Sequence, residues 1–154
     1  MNKRQYRIQR IADVMQEYLA AQTAANWLAA RTAEDPSFGR KQKPDWEPRG
    51  GHAFLQNLES TYLVRMYAEF EAGLRDYWAT YCGKDTQPRM VDLLRHAIPT
   101  QAFSQDCIDN ADSVRKYRNH LVHDSEEEPP PRITLLDAKR YLCDYFSRLD
   151  RRWT

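Results

Sequence analysis

FLQNLESTYLVRMYAEFEAGLRDYWATYC, residues 54–82, decides the fold. Leu55, Leu58, Tyr62, Met66, Phe70, Leu74, Tyr77 and Tyr81 recur at steps of three and four, the spacing at which an α-helix returns side chains to one face. Leu63, Tyr67 and Trp78 widen that stripe to an arc of roughly 200°, at about 100° per residue, more than a surface helix needs. The element is therefore expected at the centre of a bundle, or shared with a second subunit.

Working outward, Gln5 to Arg31 carries Ile8, Ile11, Met15, Tyr18, Leu19, Ala25 and Leu28 at helical spacing. The stretch 32–51, with its prolines, glycines and charges, has no period and is expected to be a long exposed connection. Beyond the central helix, Gly83 suits a C-terminal cap. A short helix is expected from Pro88 to Ala97, with Leu93, Leu94 and Ile98 inward and Pro99 ending it. A fourth helix is expected from Phe103 or Ser104 to His123 on Cys107, Ile108, Ala111, Val114, Tyr117 and Leu121. Residues 124–132 form an acidic, proline-rich connector that cannot continue it. Thr134 then offers an N-cap with Asp137 three residues on, opening a last helix on Leu135, Leu142, Tyr145, Phe146 and Leu149. The fold class is all-α: one domain over residues 1–154, a bundle of four to five helices.

Composition agrees and narrows the function classes. The chain of 154 residues has only five glycines, few for sheets and turns. Its 23 Lys+Arg stand against 22 Asp+Glu, so any surface suited to nucleic acid must be local. Cys82, Cys107 and Cys143 form no C-x-x-C pair and read as small buried hydrophobes in a reducing cytoplasm. No metal, cofactor or membrane segment is expected.

Chemistry concentrates at Arg118-Asn119-His120-Leu121-Val122-His123. Arg is a permanent planar cation suited to a phosphate, and His exchanges a proton near pH 7. On a helical wheel Val114, Tyr117 and Leu121 face the core. Ala111, Arg115, Arg118, Asn119, Val122 and His123 occupy a second, mixed face suited to another subunit. Arg118 and His123 lie about 140° apart on that wheel, so one chain makes a poor site. A two-fold homodimer would double each group in one cleft. Asn119, at i,i+4 from His123, can orient the imidazole or bind a phosphate oxygen. Glu71, or else Glu69, is expected to pair with Arg118. His120 is expected on the far side, exposed or paired with Asp124. Arg115 and Lys116 are candidate contacts for an RNA backbone. His52 and His96 read as surface residues. Of the four tryptophans, Trp27, Trp78 and Trp153 read as packing groups, while Trp46, among Arg40, Lys41, Lys43 and Arg49, is a candidate to grip single-stranded RNA.

Arg-polar-x-x-x-His at the end of a late helix resembles the signature of the HEPN superfamily of small helical proteins, and Met66 to Gly73 is similar to the aromatic-rich second helix of one bacterial branch. Glu71 stands where that branch has its acidic residue. The resemblance spans about half the chain. It implies an HEPN-like bundle and a metal-independent endoribonuclease in phage defence, stress response or a toxin–antitoxin pair. Arg118 and His123 would be catalytic with Asn119 beside them, and an antitoxin or nucleotidyltransferase-like protein would be a partner. Some toxin members carry a Tyr two residues after the last His; here that position is Ser125. The alternatives are a non-catalytic module binding nucleotide, RNA or a protein through the same cleft, and a bundle in which the motif is accidental. The accidental reading requires a carboxylate on Arg118 and no cleft near His123.

Overall fold

The computed structural model describes residues 2–97, 104–123 and 128–153. Its regular elements are helices, with no strand among the described residues: α1 (Lys3–Glu34), α2 (Pro48–Asp76), α3 (Met90–His96), α4 (Gln105–Val122) and α5 (Leu135–Arg148). The expectations for Ile98, Pro99, Phe103, Asp124 and Ser125 lie outside the described residues.

Ion pairs fix how α1 and α2 run. Lys3 and Arg7 reach Asp76, Arg10 reaches Glu69 at 2.6 Å, Glu17 meets Arg65, and the Tyr18 and Tyr62 rings touch edge to face at 5.7 Å. Positions rise along one helix as they fall along the other, so the two form an antiparallel hairpin. At the start of α1, Arg4 donates to the Ser147 and Leu149 carbonyls, which close α5. At the start of α5, the Leu135 N–H donates to Glu59 of α2. Helix α5 therefore runs parallel to α2 and antiparallel to α1. Arg118 of α4 sits over Tyr67, while Tyr117 and Leu121 line a groove with Glu59 and Ser60, so α4 is antiparallel to α2. The result is an up-down-up-down bundle in the cyclic order α1, α2, α4, α5.

The central stripe of α2 behaves as its periodicity predicts. Leu58, Leu63, Met66, Tyr67, Phe70, Leu74 and Tyr77 are buried. Phe70 meets Tyr145 edge to face at 5.4 Å and Phe146 at 4.9 Å. Phe146 comes so near α2 at Gly73 that a Cβ there would lie 2.6 Å from its Cζ. The helix continues as one π-helical turn, Tyr77–Tyr81, and Gly83 follows at φ +63°, a conformation glycine adopts at no steric cost. The Thr134 hydroxyl caps α5, accepting from the Asp137 N–H at 3.1 Å.

Two expectations need correction. Helix α2 begins at Pro48, not Phe54, because proline at a first helical turn forfeits no hydrogen bond. The connection is accordingly shorter than 32–51, and it folds inward. It holds a 3-10 turn at Phe38–Lys41, and the Trp46 N–H donates to the Gly39 carbonyl at 3.1 Å. The Trp46 ring is seated between Gly39 and Gly51, where an added Cβ would come within 2.7 Å of it at either glycine. That ring is therefore engaged in local packing rather than held out for a base. Trp27 packs edge to face on Phe38 at 6.0 Å while remaining 56% exposed, and Trp153 is buried.

Candidate functional site at the end of α4

Helix α4 divides into two faces. Cys107, Ala111 and Val114, spaced four and three apart, are buried against the bundle. Ala111 thus belongs wholly to the core face, not to the second one. Arg115, Lys116, Asn119 and His120 lie on the other side, and the last helical residue, Val122, is 46% exposed. His123 is the C-cap, at φ −117° and ψ 128°, with its N–H on the Asn119 carbonyl at 2.9 Å. Its backbone is extended, so the wheel that separates it from Arg118 no longer governs its side chain.

Two adjoining depressions open on this face. The first, of about 450 Å³, is lined by Arg115, Lys116, Asn119, His120 and His123, with Glu128 and Pro130 on the far wall. The second, of about 310 Å³, lies where α2, α3 and α4 meet, and Tyr67, Glu71, Arg89, Arg115, Arg118 and Asn119 contribute to it. Arg115 and Asn119 line both. The structure thus gathers His120, His123, Asn119, Arg115 and Lys116 in one groove, and Arg118 enters the neighbouring one.

Both carboxylates expected on Arg118 are engaged elsewhere. Glu71 accepts from Arg75, one turn further along α2, at 2.8 and 3.0 Å, and Glu69 faces α1 and takes Arg10. Glu71 still borders the Arg118 depression without bonding to it. The Arg118 guanidinium donates through Nη1 to the Asn119 amide oxygen at 3.0 Å and lies 5.8 Å from the Tyr67 ring centre. Its Nε is buried without a hydrogen-bond partner. Among the described residues no carboxylate pairs with Arg118. Among the described residues no side-chain hydrogen bond joins the Asn119 amide to the His123 imidazole, so the amide steadies the guanidinium rather than the imidazole. His120, expected on the far side, is half-buried in the His123 groove.

The sequence reading missed two residues. Asp112 accepts from Arg115 at 2.6 Å and pairs with Lys116 at 3.1 Å, so one carboxylate offsets part of the charge of both candidate RNA contacts. Burial works to raise the Asp112 pKa, but the hydrogen bonds from Arg115 and Lys116 outweigh it and hold the carboxyl below its usual value. Its i,i+3 and i,i+4 spacing to those cations was visible in the chain. Tyr67, read only as part of an apolar arc, brings a buried hydroxyl that has no partner. Burial pushes this phenol well above its ordinary range, so it stays neutral.

Among the described residues no three His, Cys, Asp or Glu side chains cluster as metal ligands. No helix among them is long and apolar enough to cross a membrane. Comparison of the chain with family models, with curated proteins and with solved structures finds no match. Fold and site together define an all-α up-and-down bundle with a polar, two-histidine groove at the end of its fourth helix.

Proposed function

We propose that this protein is a metal-independent endoribonuclease of HEPN type, acting as a homodimer through the exposed face of α4. The observation that supports this reading is Arg118, a half-buried guanidinium with no carboxylate partner among the described residues, beside a groove that holds His120 and His123. The accidental reading needs the opposite on both counts. In one chain Arg118 and His123 line different depressions; a second copy related by a two-fold would bring the guanidinium of one protomer toward the imidazole of the other. One histidine would take the proton of the RNA 2′-hydroxyl as that oxygen attacks phosphorus. The bond from phosphorus to the 5′-oxygen would break, and a second histidine would return a proton to the leaving oxygen. Arg118, steadied by Asn119, would stabilise the charge gathering on the phosphorane. The products are a 2′,3′-cyclic phosphate and a 5′-hydroxyl, and the cellular roles are those the resemblance implies, with an antitoxin or nucleotidyltransferase-like protein as partner.

The test is incubation with RNA in the presence of a chelator. The wild type is expected to cut and to leave cyclic phosphate ends. Arg118→Ala and His123→Ala, shown by circular dichroism to keep their helices, should each lose about a hundredfold or more. Equal cutting by all three proteins overturns the assignment. The separation of Arg118 from His123 within one chain favours a second reading, a non-catalytic module that binds RNA across α4. On that reading the wild type binds RNA without cutting it, and both variants lose affinity together.

A further inference from the structure

Two residues that line the depression where α2, α3 and α4 meet each carry a buried polar atom without a partner. Tyr67 is 1% exposed, and its hydroxyl has no hydrogen-bond partner. Arg118 Nε is likewise buried and unpartnered. Arg4 and Arg7 also have an unpartnered Nε, but the guanidinium of Arg4 is satisfied by the Ser147 and Leu149 carbonyls and that of Arg7 by Asp76. A buried polar group left without a partner is destabilising, so two in one small space need a reason.

Charge pairing around the depression identifies the missing partner. Arg115 is matched by Asp112, Arg89 by Asp92, and Glu71 by Arg75. Among the described residues Arg118 alone of these cations has no carboxylate, only the Asn119 amide oxygen and the face of the Tyr67 ring. Among the described residues the pocket therefore holds a positive charge without a carboxylate partner, beside a neutral phenol that can donate one hydrogen bond. A compact anion with several acceptor oxygens satisfies that set, and a lone apolar group or a cation does not.

The geometry points to this depression as a phosphate-binding subsite in which Tyr67 donates its hydroxyl hydrogen bond to a phosphate oxygen that Arg118 also holds. This rests on the reading of Arg118 as a phosphate ligand and adds a residue from α2 to it. Arg115 and Asn119, which border both depressions, would carry a nucleic-acid strand from this subsite into the histidine groove. The expected role of Tyr67 is positioning: it fixes where the phosphate sits and moves no proton itself.

Tyr67→Phe removes one oxygen and keeps the ring, and the probe is inorganic phosphate. Without ligand the variant should melt at the wild-type temperature or above it, because an unpartnered buried hydroxyl is removed. Phosphate should raise the melting temperature of the wild type and shift the side-chain NMR signals of Tyr67 and Arg118. Its affinity should fall about tenfold in Tyr67→Phe. Such opposite signs are what a purely structural hydroxyl cannot give. Phosphate binding Tyr67→Phe as tightly as wild type overturns the inference, as does a phosphate-free variant that melts lower. RNA cleavage by the same wild-type preparation separates the two proposals. Phosphate binding without cutting removes the nuclease reading alone, and cutting without phosphate at Tyr67 removes the subsite alone.

Discussion

Side chain by side chain, the candidate site shows what spacing reveals and what it hides. The Arg118 to His123 string was legible because its residue types are rare together, and its position at the end of α4 followed from the Cys107, Ala111 and Val114 repeat. The partner of Arg118 was not legible. Glu71 has the right charge on the right helix, but Arg75 lies one turn away on that helix, and a local i,i+4 pair requires no tertiary fit. Asp112 has the larger consequence for function because it restrains the Arg115 and Lys116 charges. Replacing it with Asn should raise RNA affinity a few-fold and steepen its salt dependence, readable by titration at two ionic strengths. The same change should cost about 1 kcal/mol at neutral pH, since a largely buried, charge-assisted pair with Arg115 is lost. The carboxyl is held below its unfolded value, so its contribution is fully present above the ordinary carboxylate range and is lost as pH falls through the depressed folded value. Melting temperatures of the wild type and Asp112→Asn should therefore converge as pH is lowered from about 5 toward 2. A gap that persists unchanged to the acid end would show that Asp112 does not stabilise the fold through its charge.

Among the elements, periodicity located the helices well because each buries one stripe, and it failed where backbone shape and a distant ring decide the outcome. The 32–51 stretch has no repeat to read. Its order comes from Trp46 seated between Gly39 and Gly51, with Phe38 linking Trp46 to Trp27 edge to face at 6.4 and 6.0 Å. Nothing in residue spacing announces a notch that two glycines make for a tryptophan between them. This clasp closes the tip of the α1–α2 hairpin, which extends past the other helices: α5 starts beside Glu59, and Leu121 of α4 lies near Ser60. The segment of α1 beyond Tyr18 is thus about 24 Å of helix supported chiefly by α2. Trp46→Ala should loosen that tip without unfolding the bundle. Hydrogen exchange should quicken by tenfold or more over about 24–34 and 48–56, while amides around Phe70 and Tyr145 keep wild-type protection. Equal loss of protection in both regions would show that tip and bundle unfold as one unit.

At the scale of the whole molecule, the up-down-up-down order follows from successive long helices packing as neighbours, which leaves one face of α4 without a helix to cover it among the described residues. That face carries the histidine groove and ends in Val122, nearly half exposed, with Leu136 of α5 exposed at 62%. The proposed chemistry depends on a second copy here, because within one chain Arg118 and His123 line separate depressions. A dimer built on this face must bury Val122, so a charge there would be desolvated without a partner at an opposing copy of itself. Wild-type protein is expected to sediment as a dimer at micromolar concentration, and Val122→Glu as a monomer of unchanged helix content, with RNA cleavage falling in step with the loss of dimer. A wild-type monomer would leave Arg118 and His123 apart and remove the composite site. A Val122→Glu protein that stays dimeric would place the second copy elsewhere, with Trp27 and Phe54 on the projecting hairpin among the exposed apolar side chains left to cover. Either result would leave α4 with a groove that has no means of bringing a guanidinium and an imidazole to one phosphorus.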